Sequence, residues 1–161
     1  MKTITNLREL DELVAQQLGW IQVTLPSYQG ECIQPYVPSE IAKLSPKEIE
    51  DWLFQWQYWN DGELNPTFTT AYAWSKYIID YLHSQGLAIE TWQSPELSCV
   101  GIHEKRLDIS HSYSRHATWE SYCGSTASAK GNVDSPINSL PLAMCLAFLK
   151  YKGIEVTLDL K

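Results

Sequence analysis

One stretch near the C-terminus, Ser135–Val156 (SPINSLPLAMCLAFLKYKGIEV), most constrains the fold of this chain. Every residue of Leu140–Leu149 except Pro141 is apolar. A surface helix carries one apolar stripe, whereas a helix that is apolar all round is typical of a buried position. Pro141 falls in the first turn, where its missing N–H is tolerated, and Gly153 favours termination. Because a membrane span needs about 20 apolar residues, this run predicts a central core helix instead.

Length and charge set the class of protein. The 161 residues predict a single domain over 1–161, and a hydrophobic fraction of 44% is enough for a packed core. The formal net charge is −7, which argues against general nucleic-acid binding because neutralising phosphates requires a surplus of Lys and Arg. The N-terminal residues carry charges throughout, without the apolar run of a signal peptide. We therefore expect a cytoplasmic protein with no membrane segment.

The order of elements predicts an α+β fold. A capping box at Asn6 and Glu9 begins a helix that Gly19 ends, and the alternating Trp20–Leu25 predicts a strand closed by Pro26. Further along, the pattern predicts a helix from Thr67 or Thr69 to about Ser84, an antiparallel hairpin and a final strand; the strands are Leu87–Gln93, Leu97–Glu104 and Ile154–Leu160. Runs of strands, rather than strict alternation with helices, favour α+β.

Residues 26–66 are predicted to be an insertion within the domain. Three prolines interrupt its first part, and a capping box at Ser45 and Glu48 begins a short helix. The insertion is rich in tryptophan; these residues are Trp52, Trp56 and Trp59. They either pack the insertion onto the body of the protein or form an exposed aromatic face for a partner or a second subunit.

Three segments together resemble the phage ABA-sandwich family of small phage and prophage proteins. They are Leu10–Ala15 leading to Leu18–Gly19–Trp20, Pro66–Trp74 (PTFTTAYAW) and Ser139–Ala147 (SLPLAMCLA). The resemblance implies helices packed on both sides of a central, mainly antiparallel sheet, with the Trp-rich insertion added to it. It also implies a protein that works in the cytoplasm of a bacterial host cell.

Motifs for catalysis, metal binding and phosphate binding are missing from the sequence. There is no G-x-S-x-G elbow, no H-E-x-x-H, no C-x-x-C and no glycine-rich phosphate loop. The four cysteines, which are Cys32, Cys99, Cys123 and Cys145, have no close spacing, and we expect reduced thiols in a cytoplasmic chain. We therefore predict no catalytic residue, no metal and no cofactor.

One region of this acidic chain combines basic and aromatic residues. Guanidinium groups bind phosphate through paired hydrogen bonds, and aromatic rings stack on nucleobases. The predicted ligand-binding residues are Arg106, Arg115, His103, His111, Tyr113 and Trp119. The alternative is a set of ordinary surface cations that balance local acids.

Three functions follow as hypotheses. The first is a non-enzymatic phage- or prophage-type accessory protein that binds and sequesters a small anionic ligand, such as a nucleotide immune signal, as a possible homo-oligomer. Size, the resemblance and the missing catalytic motifs favour it, although a fold does not by itself determine a function. The second is a protein-interaction module acting through the Trp-rich insertion. The third is a hydrolase with a site that carries no recognised motif.

Overall fold

The computed structural model describes residues 2–26, 32–55, 66–70, 72–93, 98–104, 121–123 and 140–159. Helices and strands are mixed along the chain, as the α+β prediction requires. The elements are β1 (Lys2–Ile4), α1 (Leu7–Gln17), β2 (Ile21–Gln22), β3 (Leu25–Pro26), β4 (Cys32–Ile33), β5 (Tyr36–Val37), α2 (Ser39–Ala42), α3 (Pro46–Gln55), a 3-10 turn (Tyr72–Trp74), α4 (Ser75–Ser84), β6 (Leu87–Gln93), β7 (Ser98–Glu104), β8 (Ser121–Cys123), α5 (Leu140–Tyr151) and β9 (Val156–Leu158).

Helix α5 lies at the centre of the core, as its composition predicts. All residues from Leu142 to Leu149 are buried. They belong to one apolar cluster with the buried side chains of α1, α4 and β7. After the helix, Gly153 adopts a φ of +78°, a left-handed conformation that residues with a Cβ rarely take, and this ends α5.

A three-stranded antiparallel sheet, ordered β6-β7-β8, packs against α5. The β6–β7 hairpin pairs Leu87 with Glu104 and Gln93 with Ser98, which confirms the predicted hairpin. Val100 and Ile102 of β7 are buried in the same core cluster as α5. Because successive residues of a strand alternate between faces, the intervening positions of β7 belong to the opposite face of the sheet.

The two ends of the described chain are joined by a parallel strand pair. Strand β1 pairs with β9 in the register Lys2–Val156 and Ile4–Leu158. The Asp159 backbone N–H donates to the Ile4 carbonyl at 2.8 Å, which extends the pairing. The alternation of Ile154–Leu160 predicted β9, whereas β1 was not predicted because its pairing depends on a partner at the far end of the chain.

Strands β2 to β5 form one interrupted hairpin, which corrects the strand predicted for Trp20–Leu25 in one respect. The alternation of that segment predicts that Ile21, Val23 and Leu25 share its apolar face, but Ile21 is 47% exposed and Trp20 is buried. The strand ends at Pro26, as predicted, and Pro26 also pairs with Cys32. A proline is tolerated there because it belongs to an edge strand. The hairpin therefore crosses the boundary predicted for the 26–66 insertion, which itself stays a prediction.

Helices α2 and α3 cover this hairpin. A small second cluster, formed by Leu25, Val37, Ile49 and Leu53, joins the hairpin to α3. At the start of α3 the predicted capping box is present. The Glu48 N–H donates to Ser45 Oγ at 3.3 Å, and the Ser45 N–H donates to Glu48 Oε2 at 3.0 Å. Local sequence therefore determines where α3 begins.

Helix α4 begins later than the predicted Thr67 or Thr69. A turn and a 3-10 segment precede its first residue, Ser75. The backbone N–H of Thr69 donates to a side chain of α1 instead of serving in a helix, as described below. None of the helices in the described ranges is long and apolar enough to cross a membrane.

Candidate ligand site

The predicted site residues begin near the end of β7 in the sequence, and only one of the six falls within the described ranges. The backbone of His103 pairs with Ala88 of β6, one residue before β7 ends at Glu104. The other five residues lie outside the described residues: Arg106, His111, Tyr113, Arg115 and Trp119. The structure therefore fixes the strand ends that precede and follow this segment.

The segment leaves β7 and enters β8 at the same end of the sheet, with an offset of three residues. Because β7 and β8 are antiparallel neighbours, Ser121 at the start of β8 pairs with Gly101, whereas β7 continues to Glu104. Arg106 follows Glu104 by two residues, and Trp119 precedes Ser121 by two.

The frame under this end of the sheet is tightly packed. Val100 and Ile102 of β7 have 0% and 1% of their surface exposed and contact the core formed around α5. A strand end held by a close-packed interior is a more rigid support for a binding site than an unsupported loop.

Several cations elsewhere already have partners. Arg8 Nε lies 3.6 Å from Glu12 Oε1 one turn along α1. Lys152 Nζ donates to Tyr81 Oη at 2.9 Å and lies 5.0 Å from the centroid of the same ring. The chain contains three arginines, and Arg8 is the one with a described ion pair. Arg106 and Arg115 are the other two.

A cluster of aromatic rings joins α3 to the body of the protein. Trp20 makes edge-on contacts with Trp52, Phe68, Trp74 and Tyr77, at centroid distances between 4.9 and 6.2 Å. Trp52 also lies 6.1 Å from Trp74. Such T-shaped pairs add to the stabilisation from burial. For Trp52 the geometry supports the packing interpretation, whereas Trp56 and Trp59 lie outside the described residues.

Asp11 is a buried carboxylate for which the sequence analysis predicted no role. It lies on α1 with 8% of its surface exposed, and Oδ1 accepts the Thr69 backbone N–H at 2.8 Å. A signal was present in the sequence: at helical spacing, Asp11 falls three residues before Val14 and four before Ala15, within the apolar stripe of α1. A charged group on that stripe predicts a specific buried partner.

Burial controls the protonation of two further groups. Desolvation, followed by the nearby charge of Asp11, raises the pKa of the Cys145 thiol well above its usual 9.0, so the thiol stays neutral. Desolvation also raises the pKa of Tyr77, and Glu40 and Asp80 add to this effect. Both shifts favour the uncharged form, which differs from the lowered pKa of an activated nucleophile.

In the ranges that the structure describes, no three residues among His, Cys, Asp and Glu come together in a metal-binding arrangement. No family model, curated protein or solved structure matches the chain, so the candidate site is assigned from its own residues.

Proposed function

We propose that the chain is a non-enzymatic accessory protein of phage type that binds a small anionic ligand, with a nucleotide as the ligand class. The observation that carries the proposal is the placement of the β7 and β8 ends. The two strands pair with each other, and Arg106 and Trp119 belong to the segment that lies between them in the sequence. Guanidinium groups and an aromatic ring are the residue types that hold phosphate and base.

Electrostatics requires a local site if an anion is to bind. A body with net charge −7 repels an anionic ligand at long range. Binding therefore depends on short-range, charge-assisted hydrogen bonds, which screening weakens least. Arg106 and Arg115 fit this role, and Arg8 does not because it pairs with Glu12.

The phage ABA-sandwich arrangement forms part of the same proposal. The known layer consists of α4 and α5 against the face of the sheet that carries Val100 and Ile102. We propose that this sheet is the central sheet of such a sandwich, with helices on both of its faces.

Calorimetric titration tests the proposal. Cyclic dinucleotides and ADP-ribose-type nucleotides are titrated into the wild type and into Arg106→Ala, Arg115→Ala and Arg8→Ala. Loss of a charge-assisted contact should cost roughly 1.5–3 kcal/mol, which is about a ten- to hundredfold weaker affinity for the first two variants. Arg8→Ala is the matched control and should bind like the wild type.

Two results would contradict the proposal. Equal affinity of all three variants would move the site away from residues 105–120. If no nucleotide binds to the folded wild type, the protein-interaction hypothesis for the Trp-rich insertion becomes the better one. A circular dichroism spectrum unchanged between variants confirms that each comparison concerns binding and not folding.

A further inference from the structure

The register of the sheet brings two cysteines together that are far apart in the sequence. Cys99 of β7 and Cys123 of β8 are directly opposite each other as paired residues of antiparallel strands. Strand β6 contributes Trp92 to the same row, opposite Cys99. A row across a sheet belongs to one face, so the three positions share a face. It is the face opposite Val100 and Ile102.

We propose that Cys99 and Cys123 form a reversible cross-strand disulfide. Opposed residues of antiparallel strands have Cα atoms about 4.5 or 5.5 Å apart, and both values lie within the range of disulfides. The Cβ atoms of opposed residues are typically about 4.5–5.5 Å apart, and the lower end of this range meets the roughly 3.5–4.5 Å found in disulfides, so a local change in strand twist is enough for the bond to form. Reduced thiols were expected for all four cysteines; under this proposal the expectation applies to Cys32 and Cys145.

The reaction requires a disulfide oxidant, for which low-molecular-weight disulfides of the glutathione class are suitable. One thiolate attacks the oxidant, forms a mixed disulfide and releases one small thiol. The second cysteine then attacks the protein sulfur of that mixed disulfide and displaces the second small thiol. Two S–H groups become one S–S bond, and the two electrons and two protons leave with the two small thiols.

The bond would close a loop over residues 99–123, which contains the whole segment between β7 and β8. A cross-link of this kind stabilises mainly by restricting the unfolded chain. It would also hold β8 in register with β7, because a three-residue strand has few hydrogen bonds of its own. This inference does not depend on the proposed ligand.

Thiol counting by mass spectrometry tests the proposal on the intact, folded protein. The protein is incubated with oxidised glutathione, then denatured and alkylated. We expect a linked peptide pair containing Cys99 and Cys123 with no glutathione on either residue, and a glutathione adduct on the exposed Cys32 does not affect this result. The oxidised form should also unfold at a temperature about 5–10 °C higher than the reduced form.

Matched variants separate this bond from nonspecific oxidation. Cys32→Ser removes an exposed thiol outside the pair and should still form the bond. Cys99→Ser and Cys123→Ser should each retain a glutathione adduct on the remaining cysteine of the pair. If either variant does not fold, Cys99→Ala or Cys123→Ala is used instead. A wild type that keeps four reactive thiols or stops at glutathione adducts, or a linked peptide that contains Cys32, overturns the proposal.

Discussion

Among single residues, Asp11 makes a buried polar contact between two segments that are remote in the sequence. Its carboxylate on α1 accepts the N–H of Thr69, a residue 58 positions away, and so fixes the segment that precedes α4. We expect Asp11→Ala to lower the free energy of unfolding by about 1–3 kcal/mol, because a buried backbone N–H loses its acceptor. Urea unfolding followed by circular dichroism measures this change.

Asp11→Asn is the matched control for that prediction. An asparagine keeps an oxygen at the position of the acceptor while removing the charge. We therefore expect Asp11→Asn to be closer to the wild type than Asp11→Ala. Equal stability of the alanine variant and the wild type would show that the contact with Thr69 contributes nothing.

The buried thiol of Cys145 predicts a pH dependence of stability. In the unfolded chain the thiol titrates near its usual pKa of 9.0, whereas burial raises the pKa in the native state. Above about pH 9 the unfolded state loses this proton before the native state does, so stability falls as pH rises, by up to about 1.4 kcal/mol per pH unit.

Comparison with Cys145→Ala isolates this contribution from other titrating groups, among them Tyr77. Unfolding free energies of both proteins are measured from about pH 8 to about pH 10.5. The wild type should lose more stability than the variant over this range. Parallel curves for the two proteins would mean that the Cys145 thiol does not titrate differently in the two states.

At the scale of elements, those with local signals were predictable and those with distant partners were not. The capping residues of α1 and α3 and the apolar residues of α5 are close together in the sequence. These local signals predicted all three helices, and the structure contains them. Strand β1 and the late start of α4 depend on β9 and Asp11, which are remote in the sequence. Periodicity within a segment carries no information about such partners.

Helix α5 should contribute more to stability than any exposed helical surface. Leu146 and Phe148 are 2% and 0% exposed, and the Phe148 ring packs edge-on against Tyr81 at 5.5 Å. We expect Leu146→Ala and Phe148→Ala each to cost about 2–5 kcal/mol through lost burial and a residual cavity. The exposed Lys150→Ala on the same helix is the control and should cost below about 0.5 kcal/mol.

Urea unfolding of these three variants gives the comparison directly. The slope of free energy against urea should be the same in all of them, since the surface exposed on unfolding is unchanged. If both core variants change stability by less than about 0.5 kcal/mol, α5 is not the centre of the core.

At the scale of the whole molecule, the candidate site was only partly accessible to sequence reasoning. Residue type and local charge single out Arg106 and Arg115. They do not indicate that the strands before and after the segment containing these residues pair with each other. That information is in the antiparallel register of β7 and β8. The pairing of Cys99 with Cys123 escaped the sequence for the same reason, because spacing along the chain does not reveal neighbours across a sheet.

The parallel β1–β9 pair predicts how much stability the chain loses when its C-terminal strand is removed. Ile4 is fully buried beneath this pair, and Leu158 opposite it is partly buried on the same core. A chain ending at Glu155 lacks β9, so it loses the strand pairing of Ile4 and uncovers its side chain, although Lys2 N–H can still donate to the Glu155 carbonyl. We expect a loss of about 2–4 kcal/mol, from a few backbone hydrogen bonds and the apolar surface exposed.

A chain ending at Asp159 is the control, because it keeps β9 and the hydrogen bond from Asp159 to Ile4. Thermal unfolding should separate the two chains by about 5–15 °C, and amide exchange should be accelerated first in β1. Since α1 follows β1 after two residues, unpairing β1 should also loosen the start of α1. Equal melting temperatures would show that the rest of the core holds β1 in place without its partner strand.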